Sequence, residues 1–310
     1  MLTRDIDDGI LTVTLDGGAF NEIGLPMLRA LEGVVGDLTR DDVRALVIQS
    51  ANEGGFSAGA DLRELHASLT SVDGAPSELL DHALGLFDSP RTAARSGVSA
   101  LRNAIRRRDV RPMNTAKVWG VRAFLDRVHR VFDAIDAAPI PTIAAVHGVC
   151  FGGGFELALT CDIIVADKTA RFAFPELRLG LIPGFGGIPR LERDLGNGVV
   201  RDILLSGRSV SAKRAHEVGL ISQLVGEGHA GKVAKRLAQQ TTRFDAHTLS
   251  VAKRFAKPIP LERLAAEKDQ FCELLVRPTV VEALTRFVES KDAMPYLPGA
   301  RAKRARTTPS

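Results

Sequence analysis

The sequence predicts an α/β protein, and three observations predict it. Short apolar runs of strand length, ILTVTLDG (10–17), RALVIQS (44–50) and TIAAVHG (142–148), alternate with segments of helical spacing, PMLRALEGVVGDL (26–38) and FLDRVHRVFDAID (124–136). Strand, helix and strand recur in that order, as in a strand core covered by helices. The composition suits a packed interior: 310 residues, 45% hydrophobic and 25% charged, are long enough for one large core or two smaller ones.

Taken in order, the N-terminal residues MLTRDIDDGI lack the apolar centre of a signal peptide and the Arg-rich, acid-free character of a transit peptide, so they read as the start of the domain. The next elements form either a ββα beginning or a βαβ unit. Residues 69–118 open with turn residues, LTSVDGAPSELL, and end in a basic cluster before the single tryptophan, Trp119; they read as a helical excursion too long for a plain connection. Arg106, Arg107 and Arg108 read as a solvated helix face, with a phosphate-binding patch as the alternative. The long apolar stretch 140–166 contains Glu156 and Asp162, and an acid near a bilayer centre costs about 2.5 to 3.5 kcal/mol, so a buried core segment is expected and no membrane contact. After TIAAVHG come a glycine turn and a short helix from Phe155. From Ser211 the pattern is helices alone: SAKRAHEVG, KVAKRLAQQ, LERLAAEKDQFCELL and TVVEALTRFVESKD. This divides the chain into an α/β core (1–210, with the insertion at 69–118), a helical region (211–298) and a frayed basic tail (299–310).

Charge and cysteines narrow the function classes. An excess of 41 basic over 37 acidic residues suits an anionic ligand and is too small to imply nucleic acid; RNA binding through Arg106–Arg108 and the tail is kept as a minor alternative. Cys150, Cys161 and Cys272 have neither metal-ligand spacing nor an even number, so a reducing cytoplasm is expected.

The chemistry concentrates in three stretches. GGGFELALTCD (152–162) follows a strand; its glycines would place backbone N–H groups at a helix N-terminus, where unpaired donors and the helix dipole favour negative charge. FSAGADLREL (56–65) repeats the design, with Asp61 and Glu64 in a first helical turn. Two such turns can aim two donors at one oxygen, as an oxyanion hole requires. ARFAFPELRLGLIPGFGGIPRL (170–191) sets Glu176 among apolar residues, as Glu156 is set. The structural alternative for each glutamate is a pairing with Arg178 or Arg190, or a helix cap. No G-x-S-x-G nucleophile elbow of a serine hydrolase and no P-loop is read in the sequence, GFGGIPRL lacks the dinucleotide fingerprint, and His147 reads as a packing residue.

The run from Ala144 to Leu191 closely resembles the signature region of the enoyl-CoA hydratase/isomerase (crotonase) family, and FSAGADLREL resembles its other hallmark. The resemblance extends through AHEVGLISQLV (215–225) and leaves mainly residues 69–118 and the tail unmatched; GGAFNEIGLPML is a looser match. It implies a crotonase-like spiral of ββα turns and an acyl-CoA thioester substrate whose carbonyl oxygen accepts from the backbone N–H groups of Ala60 and Gly153. It further implies Glu156 and Glu176 as catalytic acids, and Ala58, Ala60, Asp61, Leu62, Arg63 and Gly153 as the substrate-binding set, with Arg63 and Lys291 candidates for the CoA phosphates. No cofactor beyond the CoA of the substrate is implied. Family members that hydrate carry acids at both glutamate positions, whereas isomerases commonly need only the second, so hydration is the expected reaction. A homotrimer or a dimer of trimers is expected, as is an acyl pocket covered by residues 69–118. A member that binds acyl-CoA without reaction is the alternative from another class.

Overall fold

The computed structural model describes residues 1–70 and 115–290; Arg106–Arg108, Lys291, the tail and most of the expected lid lie outside the described residues. The chain opens with a hairpin of β1 (Leu2–Asp7) and β2 (Ile10–Leu15), in register from Leu2 opposite Leu15 to Asp7 opposite Ile10. Asp8 and Gly9, at φ 46° and 75°, make its two-residue turn. The sequence reading passes over β1, because this edge strand is mostly exposed and carries the charges of Arg4, Asp5 and Asp7. The beginning is therefore ββαβ. Helix α1 (Leu25–Asp37) buries Met27, Leu28, Leu31 and Val34 on one face and returns the chain to β3 (Ala45–Ser50), parallel to β2.

Three strand pairs follow. β3 runs into β4 (Gly55–Ser57) and then α2 (Leu62–Thr70); after α3 (Thr115–Asp136), β5 (Thr142–Val146) runs into β6 (Val149–Phe151) and α4 (Gly153–Ala158). β7 (Ile163–Asp167) runs into β8 (Arg171–Ala173), the 3-10 turn Glu176–Leu179 and α5 (Gly187–Leu195). The first strand of each pair joins a six-stranded sheet of order β1-β2-β3-β5-β7-β10, and the second joins a sheet of order β4-β6-β8-β9. The chain thus winds as a spiral of ββα turns, each turn adding one parallel strand to both sheets.

The remainder comprises α6 (Asn197–Ser206), β9 (Val210–Ser211), α7 (Ala212–Glu217), β10 (Gln223–Val225), α8 (Ala230–Thr241), α9 (Ala246–Ala256), α10 (Leu261–Leu275) and α11 (Pro278–Glu289). The expectation of helices alone after Ser211 is corrected by β10, which extends the main sheet by pairing parallel with β7 from Gln223 opposite Val165 to Val225 opposite Asp167. Three residues give no period to read; the neighbouring strand decides their conformation. β5, TIAAV, is buried on both faces. Ala144 and Val146 join the central core, while Ile143 and Ala145 meet the stripe Ala230, Ala234 and Ala238 of α8. The apolar segment 140–166 resolves into β5, β6, α4 and β7, and among the described residues no helix is long and apolar enough to cross a membrane.

Candidate active site

The glycine triplet lies where β6 turns into α4. The helix starts at Gly153, two residues before the predicted Phe155, so two of the three glycines are inside it. Gly152 sits at φ 47°, ψ −126°, and a methyl there would lie 2.5 Å from Glu176 Oε1. A methyl on Gly153 would lie 2.6 Å from the Phe185 ring, and one on Gly154 would lie 2.5 Å from Ser57 Cβ. Bare backbone lets three different partners approach, at a cost of roughly 1 kcal/mol per helical glycine.

The second turn touches the first. Gly59 is at φ 100°, and a methyl on it would lie 2.8 Å from Gly153 N; one on Gly153 would lie 3.2 Å from Ala60 N. Ile23 N donates to Gly59 O at 2.7 Å and Asp61 N to Ile23 O at 3.3 Å, which fixes the backbone on either side of Ala60. Among the described residues, neither the Ala60 nor the Gly153 N–H has an acceptor. Both residues line a cavity of about 50 Å³ together with Ala58, Glu156 and Glu176.

The two acids are held differently. Glu156, 2% exposed, accepts on one oxygen, Oε1, from Phe185 N and Gly187 N, each at 2.8 Å. It therefore caps α5, as the structural alternative allowed, but its Oε2 has no hydrogen-bond partner among the described residues. Burial pushes its carboxyl up to about 7, against the opposing pull of those two N–H groups and of Arg190. Glu176 Oε2 is buried, with no hydrogen-bond partner among the described residues. Burial first, and then the neighbouring charge of Glu156, raise Glu176 well above the usual carboxylate range. Arg190 instead engages Asp133 at 2.6 Å and Asp136 at 2.8 Å, and Arg178 donates to Gly207 O at 2.7 Å.

Other expected residues fall around this centre. Asp61 Oδ1 caps α2 through Arg63 N and Glu64 N, each at 3.0 Å, and Glu64 Oε2 takes the Leu25 N–H of α1 at 2.9 Å. Asp61, Leu62 and Arg63 line a small outer cavity with Phe287, over whose ring the Arg63 guanidinium stands at 6.0 Å. An apolar pocket of about 40 Å³, walled by Leu65, Val121, Phe124, Phe185 and Phe271 among others, shares Ala60, Leu65, Phe185 and Phe271 with the cavity of the two acids. His147 Nε2 meets Asn52 O at 2.9 Å, a packing contact as expected. Two motifs need correction. GFSAG (55–59) does have the G-x-S-x-G spacing, yet Ser57 Oγ, almost fully buried, donates to Asn21 O and accepts from Gly59 N, and so serves the turn. GEGHAG (226–231) has the G-x-G-x-x-G spacing after β10, but Gly228 N is taken by Asp167 Oδ2 at 2.9 Å, an acid where a pyrophosphate would have to sit.

Sequence reasoning missed Phe185, Phe271 and Glu267, which enter the site from α10 and the turn before α5. Glu267 carried one signal. It occupies a position in the buried stripe Leu264, Glu267, Phe271, Leu275 of an amphipathic helix, where an apolar residue is the rule.

Two free backbone donors and two buried carboxyls around one cavity match the arrangement expected from the resemblance, and the family model for enoyl-CoA hydratase/isomerase matches residues 120–294. The chain belongs to the enoyl-CoA hydratase/isomerase family. A relative in Arabidopsis thaliana, "Probable enoyl-CoA hydratase 2, mitochondrial", is 29% identical over 291 residues, covering 92% of this chain and 81% of its own length. The human "Methylglutaconyl-CoA hydratase, mitochondrial" is 29% identical over 286 residues, covering 92% of this chain and 68% of its own. The crystal structure of enoyl-CoA hydratase from Bacillus halodurans superposes with a TM-score of 0.72 over 92% of this chain and 98% of that one at 18% identity, a likeness of fold. The ββα spiral is thus the crotonase fold.

Proposed function

We propose that the protein is an enoyl-CoA hydratase, adding water across the 2,3 double bond of an enoyl-CoA thioester. The observation that carries this is the convergence of the unpaired Ala60 and Gly153 N–H groups with Glu156 and Glu176 on one cavity. The thioester oxygen accepts from both N–H groups, and negative charge that develops there as an enolate is stabilised by donors fixed in advance. Ala58, Leu62 and Arg63 flank the approach of the CoA moiety.

The acids divide the proton work by their proton affinities. Glu156, titrating near neutrality, is the group that takes a proton from water as its oxygen bonds to Cβ; Glu176, held protonated by burial and by Glu156, gives its proton to Cα. One water is consumed, and a proton passing from Glu156 to Glu176 restores the starting state. The pair titrates jointly. The addition calls for no cofactor beyond the CoA of the substrate.

The subunit arrangement belongs to the same proposal. Helix α9 buries no side chain within a single chain, and Phe244, Val251, Phe255 and Leu261 are exposed along it and beside it, a surface suited to further copies in a trimer or a dimer of trimers. A cytoplasmic setting goes with the three unpaired cysteines.

The test is turnover of a panel of acyl-CoAs followed by mass, with Glu156→Gln and Glu176→Gln alongside the parent protein. Gain of one water by a 2-enoyl thioester is expected, each substitution lowering kcat about 10²- to 10⁴-fold with KM little changed. Preferred turnover of a 3-enoyl thioester that survives Glu156→Gln would make the protein an isomerase instead.

A further inference from the structure

Four consecutive backbone N–H groups at the start of α5 are shared by two carboxylates in alternation. Phe185 and Gly187 donate to Glu156 Oε1; Gly186 donates to Glu267 Oε1 and Ile188 to Glu267 Oε2, all at 2.8 Å. Glu267 is 6% exposed, and among the described residues no lysine or arginine lies within ion-pair distance of it. An acid buried in an apolar stripe is costly unless its oxygens are used, and here both are used on one turn. That turn is also tied by its carbonyls: Arg190 Nη1 donates to Phe185 O at 2.9 Å, and His129 Nε2 meets Gly184 O at 2.8 Å.

We propose that Glu267 is a positioning residue for the reaction. By taking the Gly186 and Ile188 donors it holds the turn so that the other two donors meet one oxygen of Glu156 and leave Oε2 for the water. The same hold keeps the Phe185 ring against Gly153, beside the oxyanion donor. Glu156 is faced by Glu176 from the 3-10 turn, Glu267 from α10 and Arg190 from α5; behind Arg190 stand His129, Asp133 and Asp136 of α3. In this company Glu267 acts on Glu156 in two opposite ways. Burial first, and then the neighbouring Glu156, hold the Glu267 carboxyl well above the usual carboxylate range; in its ionised form its charge raises the proton affinity of Glu156, while its clamp lowers that affinity by presenting N–H donors.

Glu267→Gln separates the two. The amide keeps the size but sets an NH₂ against one of the two N–H donors, pushing the turn out of register. A positioning role predicts that the Glu156 titration moves upward from about 7, by roughly one unit, because the two N–H donors no longer both meet its Oε1. It also predicts that kcat falls about 10- to 100-fold with KM changed less than about threefold. Infrared difference spectra of the full chain over a pH series read the titration, the Glu156 band being the one lost in Glu156→Gln. A downward shift, showing charge alone, or no shift, showing a merely structural acid, overturns the proposal. If Glu267→Gln does not fold, Glu267→Asp keeps charge and both oxygens but draws them back by a methylene, and the same upward shift is required. The inference rests on Glu156 as the base, yet the two fail separately: an absence of hydratase turnover in the parent protein refutes that reaction, while the infrared titration still reports on the clamp.

Discussion

Two glycine-rich helix starts stand side by side in this molecule and serve opposite ends. At Gly152–Gly154 the first N–H of α4 points at a cavity and has no acceptor, whereas at Gly184–Gly187 every N–H from Phe185 to Ile188 is filled by a carboxylate of the chain itself. Both are helix N-termini that favour negative charge. What separates them is supply: Glu156 and Glu267 take the N–H groups of the second turn, and none of the described acids accepts from the first N–H of α4. A glycine-rich turn therefore announces a place for an anion without saying whether the anion is a ligand or a side chain.

The comparison breaks most completely at Gly153. Gly153→Ala puts a methyl 2.6 Å from the Phe185 ring and 3.2 Å from Ala60 N, in the space a thioester oxygen would use. Steady-state kinetics should show kcat lower by about 10²- to 10³-fold, as when one oxyanion donor is lost, because the methyl holds the oxygen off the N–H groups, with the circular dichroism spectrum unchanged. A variant that keeps parental turnover would remove the open turn from the reaction.

The filled turn is sharpened by pH. Glu156 binds its proton more tightly in the folded chain, at about 7 against an ordinary 4.5, so its contribution to stability is fully present below pH 4.5 and is lost as pH rises through 7. Denaturant unfolding at pH 5 and pH 8 should show the parent protein losing about 2 to 3 kcal/mol more than Glu156→Gln across that interval. Equal losses would mean that the N–H donors already offset the burial of this acid.

Ala60→Gly should have the smallest effect. The proposed reaction uses only the main chain of this residue, so kcat should stay at the parental value while unfolding free energy falls by roughly 0.5 to 1 kcal/mol. A large loss of turnover would show that the Ala60 side chain, and not its N–H, shapes the open turn.

The legibility of the sequence divides along the same line. Strands β2, β3 and β5 and helices α1 and α3 were legible because each repeats one period long enough to show it. β1 was readable in principle from the Asp-Gly pair after LTRDID, a hairpin signal, but its exposed, charged face hid the strand. β6 and β10 are three residues each and owe their form to partners. In the site, Ala60, Gly153, Glu156 and Glu176 were named from stretches dense in glycine and stranded acids together with the family resemblance, and the structure gathers them around one cavity. Glu267 and Phe271 escaped because their relevance exists only once α10 is laid against the turn before α5, a pairing that no local pattern encodes.

In the proposed reaction the oxyanion donors are main-chain atoms, and this has a genetic consequence. A missense change at Ala60 alters a side chain and leaves the donor in place unless proline is introduced, since every other residue carries the same N–H. Natural variation that disables this protein should therefore cluster at glycines whose substitutes collide and at the two acids, while Ala60 tolerates exchange among small residues. The cradle is inherited with the fold, and what drifts from one descendant to another is the set of acids and walls around it.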